Sequence, residues 1–169
     1  MAPPMDIDIL IEDPAWDDTP LATRAPVACA AALAELALDP ARFAVSILAC
    51  DDGRIATLNA EFRGKPVPTN VLSWPAEDRA AEKAGEMPDL PQPDPSGPPE
   101  DLGDIAISFG VLTREAVEAG KPFEDHLTHL LVHGVLHLLG FDHITDPDAE
   151  LMEGYETRIL ARLGVPDPY

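Results

Sequence analysis

Hydrophobic and polar residues alternate at the start of the chain and then change to a helical spacing. Residues 6–12 read DIDILIE, and this period of two predicts a strand. The alanine- and leucine-rich run at 27–38 has a high helix propensity, and Pro26 before it suits a first helical turn or a kink. Residues 43–50 are apolar with β-branched side chains, which predicts a second strand. The chain therefore begins as strand, helix, strand.

The same alternation of strands and helices continues toward the C-terminal end. The further predicted elements are a helix at 52–62, short strands at 71–74 and 104–109, a helix at 123–139, and a last helix that Asp146 caps and Gly164 closes. Arg63 would lie just past the end of its helix. A sheet of about four strands with helices before and after it is expected, which is an α/β (α+β) fold.

The length of 169 residues suits one domain with a sizeable core, so we predict a single domain over residues 1–169. One segment, 76–101, differs from the rest in composition. It holds eight Asp and Glu against Arg79 and Lys83, and six prolines between positions 88 and 99. Such an acidic, Pro-rich, aromatic-free segment cannot bury enough surface to fold by itself, so we expect a flexible insertion between two strands.

No stretch approaches the roughly 20 apolar residues that cross a membrane, and the opening MAPPMD lacks the basic and apolar regions of a secretory signal. A cytoplasmic location is therefore expected. The two cysteines, Cys29 and Cys50, are far apart in sequence and suit buried thiols better than a disulfide framework or a zinc–thiolate site.

All five histidines lie between positions 126 and 143. His133 and His137 are four apart, so a helix presents both imidazoles on one face about one turn apart. Gly140 lets the chain leave the helix, and the turn that follows can bring His143 to the same ion. Three imidazoles with an open position are typical of catalytic zinc, which lowers the pKa of its water to about 7. The pattern predicts one zinc ion per chain.

The spacing is also that of the HExxHxxGxxH metalloproteases, but Gly134 stands where those enzymes carry glutamate. That glutamate is their general base, so its absence argues against peptide hydrolysis. His129 and His126 lie near the same helix face about one and two turns before His133, and we expect helix-face packing for them, or a supporting or solvent-facing role. Asp142, next to a ligand, can orient an imidazole through its second nitrogen, or can simply be solvated.

The run HGVLHLLGFDH at 133–143 resembles the HGxLHLxGYDH motif of the YbeY-type endoribonucleases, also called rRNA maturation factors. Residues 58–75, LNAEFRGKPVPTNVLSWP, are similar to a second block of that family, LNxxYRxKDxPTDVLSFP. LGDIAIS at 102–108 and ELME at 150–153 resemble further blocks, so the resemblance spans the chain from about residue 45 onward. Asn70 replaces the usual aspartate and Trp74 the usual phenylalanine.

The resemblance implies a mixed sheet and a zinc-dependent endoribonuclease specific for single-stranded RNA. Its role would be maturation of the 3′ end of 16S rRNA and ribosome quality control. The partners would be rRNA, the small ribosomal subunit and its assembly factors, without DNA or a membrane. Arg63 would be the catalytic residue that binds the scissile phosphate. Lys65 would contact phosphate, Ser73 would make structural hydrogen bonds, and Asn70 could orient Arg63 or a ligand only through hydrogen bonds.

The net charge of −20 argues against RNA binding, because nucleic-acid binders usually carry a basic surface. Outside 76–101 the balance is still about −14. RNA binding would then depend on the metal and on a local group of basic residues: Arg63, Lys65, Arg54 and Arg114. Two alternatives stay open. One is a ribosome-assembly or RNA-binding factor with a structural metal, and the other is a metal-dependent hydrolase of a different substrate.

Overall fold

The computed structural model describes residues 5–169. Residues 1–4 lie outside this range, so the structure does not bear on the prediction that the opening MAPPMD is not a secretory signal. The described chain forms four strands and five α-helices: β1 (Asp6–Ile11), α1 (Leu21–Glu35), β2 (Phe43–Cys50), α2 (Asp52–Arg63), β3 (Val71–Pro75), β4 (Glu100–Ser108), α3 (Phe109–Ala119), α4 (Phe123–Leu138) and α5 (Asp146–Arg162). Single 3₁₀ turns at Pro14–Trp16 and Pro40–Arg42 complete the described elements.

The four strands form one mixed sheet in the order β1-β2-β4-β3. β1, β2 and β4 run parallel, and β3 pairs antiparallel with β4. This arrangement confirms the predicted fold class. In β2 every second residue from Phe43 to Ala49 is buried, which is the period-two pattern of a strand with one face in the core.

Helices cover the two faces of the sheet unequally. The main core lies between one face and helices α1, α4 and α5, while a smaller cluster on the other face joins α2 to the sheet through Ile55, Leu72 and Ala106. α4 is the central helix, since it packs against α1, α3, α5, β3 and β4. Nine of its sixteen residues are buried, as expected for a helix packed against several elements, and its four histidines are partly exposed. The candidate ligands are thus carried by the most firmly packed helix.

Several predicted boundaries were wrong. α1 begins at Leu21 and ends at Glu35, so Pro26 lies inside the helix. The missing N–H of Pro26 leaves the carbonyl of Ala22 without its helical partner, and Ala22 is exposed, so water can hydrate that carbonyl. At the last helix, Thr145 rather than Asp146 is the N-cap, because the Thr145 side chain accepts a hydrogen bond from the Asp148 N–H.

The helix α3 was missed altogether. Residues 104–109 were predicted to be a strand, but β4 begins earlier, at Glu100, and Phe109 already belongs to α3. Ser108 is the N-cap, Leu112 and Ala116 are buried one turn apart, and Gly120 ends the helix with a φ of 65°. Because β4 runs directly into α3, the apolar residues on either side of Ser108 read in the sequence as one continuous strand.

The acidic segment joins β3 to β4, and its last two residues belong to β4. It contacts the body of the protein at several points. The Gly85 N–H donates to Asp148 at 2.8 Å, Arg42 donates to the carbonyls of Asp94 and Gly97, and Leu90 packs against the main core. The flexibility of the segment stays a prediction.

The other general expectations concern the cysteines and the membrane. Cys29 and Cys50 are both free and buried, and burial raises the pKa of each thiol to about 12, so neither is a thiolate at neutral pH. Within residues 5–169 no helix combines the length and apolar character that a membrane crossing requires.

Candidate metal centre

The end of α4 and the turn after it bring three histidines together. His133 and His137 are one turn apart on α4, which ends at Leu138. Gly140 then adopts a φ of 104°, a conformation that L side chains rarely take. A Cβ at this position would also lie 2.7 Å from the carbonyl oxygen of Arg79. Only glycine fits here, and the turn returns His143 to the end of the helix.

The candidate ligand atoms of His133, His137 and His143 all lie within 4.8 Å of one another. The Nε2 atoms of His133 and His137 are 3.0 Å apart. Nitrogen ligands of a tetrahedral zinc ion, with Zn–N bonds of about 2.0–2.1 Å, lie about 3.4 Å from each other. Small side-chain rotations therefore suffice for the three imidazoles to share one ion, and this donor set fits zinc.

The second ring nitrogens of two ligands are already engaged, which leaves each Nε2 free for a metal. His137 Nδ1 lies 2.9 Å from the Phe141 carbonyl, to which it donates. His133 Nδ1 lies 2.7 Å from Glu156 Oε1. Burial, and then the neighbouring charges of His133 and His143, lowers the pKa of His137 to about 4. His137 is therefore neutral at pH 7, as a metal ligand must be.

Glu156 is the residue that holds His133 in place. Its side chain is fully buried, and it accepts hydrogen bonds from His129 Nε2 at 2.8 Å and from the Tyr169 hydroxyl at 2.6 Å. Burial alone would raise its pKa, but the hydrogen bonds from His129 and His133 outweigh burial and lower it to about 2. A buried carboxylate on a ligating imidazole fixes the ring orientation and increases its basicity.

Sequence reasoning missed Glu156 and Tyr169. A signal for Glu156 was present, because it lies on the face of α5 that also buries Met152, Ile159 and Leu160. An acidic residue on an apolar helix face needs a partner in the core. For Tyr169, which follows the last helix, we find no signal in the sequence.

The atoms of His129, His133 and Glu156 also lie within 4.8 Å of one another, so they form a second group that could hold a metal. In the structure, both carboxylate oxygens of Glu156 are hydrogen-bonded to these ring nitrogens at 2.7 and 2.8 Å. The carboxylate of Glu156 is therefore satisfied without an ion, whereas His129 Nδ1 is buried without a hydrogen-bond partner among the described residues. The supporting role considered for His129 stays a prediction.

Glycine at position 134, where metalloproteases carry their catalytic glutamate, also affects how α4 packs on the sheet. A Cβ at this position would lie 3.0 Å from Ile105 Cδ1 on β4, so any larger residue would require the Ile105 side chain to shift, and glycine allows the present close approach of helix and sheet. The Gly134 carbonyl also accepts a hydrogen bond from Ser73 Oγ at 3.3 Å, the structural bond expected of Ser73. The face that carries glutamate in the metalloproteases therefore lies against the sheet.

Arg63 and His137 line the same cavity, which we call the Arg63 cavity; its volume is about 210 Å³ and Ser73, Arg79 and Asp142 are among its other lining residues. Arg63 is the last residue of α2 and is exposed. Among the described residues no carboxylate pairs with its guanidinium, whereas Arg79 pairs with Glu77 and Glu100. Arg63 is thus available for an anion beside the candidate ligands.

The other predicted residues lie around this centre with different contacts. Lys65 is exposed and does not line the Arg63 cavity. Asn70 donates to Glu115 Oε1 at 3.0 Å and accepts from the Val71 N–H, so its recorded contacts do not reach Arg63. The Asp142 carboxylate accepts from the Ile144 N–H at 3.3 Å. Roles for Asn70 and Asp142 in orienting a ligand stay predictions.

Comparison with known proteins decides the family. The family model of Endoribonuclease YbeY matches residues 13–164. The chain belongs to the YbeY family. The resemblance drawn from its motifs is therefore confirmed.

YbeY-family relatives match the chain over nearly its whole length. The Endoribonuclease YbeY of Jannaschia sp. (strain CCS1) is 62% identical over 165 residues, which cover 98% of this chain and 100% of that protein. The Endoribonuclease YbeY of Ruegeria pomeroyi is 60% identical over 166 residues, 98% of each chain. The solution structure of TM1509 from Thermotoga maritima has the same fold, with a TM-score of 0.55, 21% identity, and coverage of 94% of this chain and 91% of that one.

In this YbeY-family chain, a second cavity adjoins the candidate ligand His133 and does not include Arg63. Its volume is about 490 Å³, and we call it the Tyr169 cavity after one of its lining residues. It is lined by His133, two further histidines, and polar residues that include Asn70, Glu115 and Glu118. Each cavity thus reaches one of the two candidate ligands on α4: His137 lines the first with Arg63, and His133 lines the second with acidic and aromatic side chains.

Proposed function

We propose that this chain is a zinc-dependent endoribonuclease that cuts single-stranded RNA in the cytoplasm. Its role would be maturation of the 3′ end of 16S rRNA and ribosome quality control, with the small ribosomal subunit and its assembly factors as partners. One observation carries the proposal. Three imidazoles in ligand positions lie beside an exposed guanidinium that has no recorded carboxylate partner among the described residues.

His133, His137 and His143 would hold the ion. When bound, zinc would supply Lewis acidity and lower the pKa of water, which provides a nucleophile at neutral pH. The residues of the chain prepare these ligands in advance. The Phe141 carbonyl and Glu156 each take one ring N–H, so the Nε2 lone pairs of His137 and His133 point away from those contacts. No side-chain nucleophile is required.

Arg63 would bind the phosphodiester that is cut. Hydrolysis increases the negative charge on the non-bridging oxygens, and a guanidinium offers paired N–H donors that stay protonated at any physiological pH. Its position in one cavity with His137 supports this role. Lys65, two residues further along the chain and exposed, would contact a neighbouring phosphate.

The acidic charge of the chain restricts how RNA is held. With a net charge of −20, long-range attraction for RNA is weak. Binding would depend on contacts made within the site, and base contacts and single-stranded flexibility then contribute more than charge. This is consistent with a preference for single-stranded rRNA and gives no support for binding of duplex DNA.

The test compares three substrates of one sequence: a labelled single-stranded fragment of the 16S rRNA 3′ end, the same fragment annealed to its complement, and the DNA version. The proposal expects endonucleolytic products from the first substrate alone. His143→Ala, purified in parallel, controls for contaminating nuclease and should give no products. Equal cutting of all three substrates, or equal cutting by His143→Ala, would refute the proposal.

A further inference from the structure

We propose that the Tyr169 cavity binds a nucleobase of the RNA strand next to the phosphodiester that is cut, and that it prefers a base carrying an exocyclic amino group. This inference rests on the proposed function. The cavity is lined by Asn70, Glu115, His126, His129, His133 and Tyr169 among others. Its volume of about 490 Å³ lies within the range of small-molecule sites, about 300–1,000 Å³.

Its position relative to the ligands is the first argument. His133 lines this cavity, whereas His137 lines the Arg63 cavity. A phosphodiester held by an ion on these ligands and by Arg63 has a nucleoside on each side. The Tyr169 cavity places a depression on the His133 side of the ligands, where one of those nucleosides would lie.

The second argument is the ring of Tyr169. The residue is 60% exposed, yet its hydroxyl is held by the buried Glu156 at 2.6 Å. The ring also meets the His129 ring edge-to-face, with centroids 5.8 Å apart at 88°. An exposed aromatic face whose orientation is fixed at its far end is what single-strand RNA-binding proteins use to stack a base.

The third argument is charge. Glu115 and Glu118 line the cavity, and its lining contains no lysine or arginine. A phosphate is therefore disfavoured there, while an uncharged base is not. Glu115 Oε1 already contacts Asn70 Nδ2 at 3.0 Å and His126 Nε2 at 2.9 Å. Those contacts fix the carboxylate, whose side chain remains 40% exposed.

A fixed carboxylate discriminates between bases that differ only in a donor or an acceptor. Cytosine presents an amino group at position 4, which can donate to Glu115, whereas uracil presents a carbonyl oxygen, which the carboxylate repels. Cytidine and uridine are otherwise the same size and stack alike. The geometry therefore predicts that the cavity favours cytidine over uridine.

The experiment titrates the zinc-loaded full-length protein with cytidine or uridine and follows the ring signals of His126 and His129 by NMR. Free nucleosides lack phosphate, so the Arg63 cavity does not contribute to the result. We expect cytidine to bind at least about fivefold more tightly than uridine, because one additional hydrogen bond contributes about that factor to affinity. Glu115→Gln should remove the difference, since an amide both donates and accepts.

Two further variants separate the contribution of ring stacking to cytidine affinity from the contribution of the Tyr169 hydroxyl. Tyr169→Phe and Tyr169→Leu both lose the hydrogen bond to Glu156, but only the second loses the aromatic face. Cytidine affinity should fall less than twofold in Tyr169→Phe, which keeps the ring but loses the bond that orients it, and about fivefold or more in Tyr169→Leu.

The outcomes separate this inference from the proposed function. RNA cleavage by wild type with no nucleoside effect on His126 or His129 would overturn the base site and leave the nuclease proposal standing. Nucleoside binding with the expected preference, but no cleavage of any RNA, would support the base site and refute the nuclease proposal. Equal affinities of Tyr169→Phe and Tyr169→Leu, or an unchanged cytidine preference in Glu115→Gln, would also overturn the inference.

Discussion

The two candidate ligands on α4 are one turn apart, but they depend on different parts of the chain. His137 is oriented by the carbonyl of Phe141, only four residues away, and it shares a cavity with Arg63. His133 is oriented by Glu156 on α5, and Glu156 is in turn held by His129 and Tyr169. The His137 side is a local structure, whereas the His133 side depends on how the end of the chain packs against α4.

The chemistry of the two sides differs as well. The His137 side carries two arginines beside the carboxylates of Asp78 and Asp142, and one of them, Arg63, has no carboxylate partner among the described residues. The His133 side carries carboxylates with aromatic rings and no basic side chain in its cavity lining other than histidine. In our account the first side binds phosphate and the second binds a base. One set of three ligands can thus separate charge neutralisation from base recognition, and the following changes test each side in turn.

The largest effect is expected from loss of a ligand. His137→Ala should abolish cleavage, because two imidazoles cannot hold zinc as three do. Zinc bound per chain, measured by atomic emission after gel filtration, should fall well below one. His126→Ala is the matched control on the same helix and should keep its zinc. Full zinc content and full activity in His137→Ala would contradict the assignment of the ligands.

The phosphate side is tested by Arg63→Ala, which should lower kcat/KM about 10²- to 10³-fold while zinc stays bound, as expected for loss of one donor to developing charge. Arg162→Ala is the matched control, since Arg162 is likewise an exposed arginine at the last position of its helix. Wild-type activity in Arg63→Ala would remove the phosphate role.

The buried state of His137 predicts how the zinc-free protein responds to pH. Its pKa is about 4 in the folded chain against 6.5 ordinarily, so between these values the unfolded chain binds a proton that the folded chain does not. The free energy of unfolding should therefore fall as pH drops from about 6.5 to about 4, by about 3 kcal/mol at most. Urea titrations at several pH values measure this change. The same pH slope in His137→Gln would show that His137 is not its source.

The other side of the site is tested by Glu156→Gln, which should lower zinc affinity about 10- to 100-fold, as found when a partner of a ligating histidine is lost. Competition with a chromophoric chelator measures this affinity. Glu153→Gln, a change of the same kind on the same helix, is the control. Unchanged zinc affinity in Glu156→Gln would mean that the His133 side does not depend on α5.

The smallest effect is expected for Tyr169→Phe. This change removes one of the hydrogen bonds to Glu156 and leaves the others, so zinc affinity should fall only about twofold to tenfold. The same competition assay applies. A loss as large as that of Glu156→Gln would mean that the tyrosine hydroxyl, rather than the carboxylate itself, determines the orientation of His133.

The contrast between the two sides also explains how far the sequence could predict this site. His133, His137, Gly140 and His143 lie within eleven residues, so helix geometry places the first two imidazoles on one face and a glycine turn can return the third. Arg63 required the family resemblance, because an arginine at a helix end is usually a surface residue. For Glu156 the sequence held a signal, an acidic residue on an apolar helix face, but its partners His133 and Tyr169 are brought to it only when α5 packs on α4 and the end of the chain folds back.

The fold shows the same limit. Most of the sheet and most helices followed from local sequence patterns, since residues 6–12 alternate and residues 43–50 are apolar and β-branched. α3 was missed because β4 runs directly into it, with Ser108 as a single polar residue between two apolar runs. The start of α1 was missed because the helical run was read from residue 27, with Pro26 in a first turn or at a kink, although the core packing of Leu21 and Ala25 extends the helix past it.

The most direct test of the account is the dependence of RNA cleavage on bound zinc in the wild-type protein. Zinc-free protein is loaded in steps, and the single-turnover rate on the labelled 16S rRNA fragment is measured at each step. The account predicts a rate that is at background without zinc, rises in proportion to bound zinc, and saturates at one ion per chain. Cleavage that does not change with zinc content, or no cleavage at one bound zinc per chain, would contradict it.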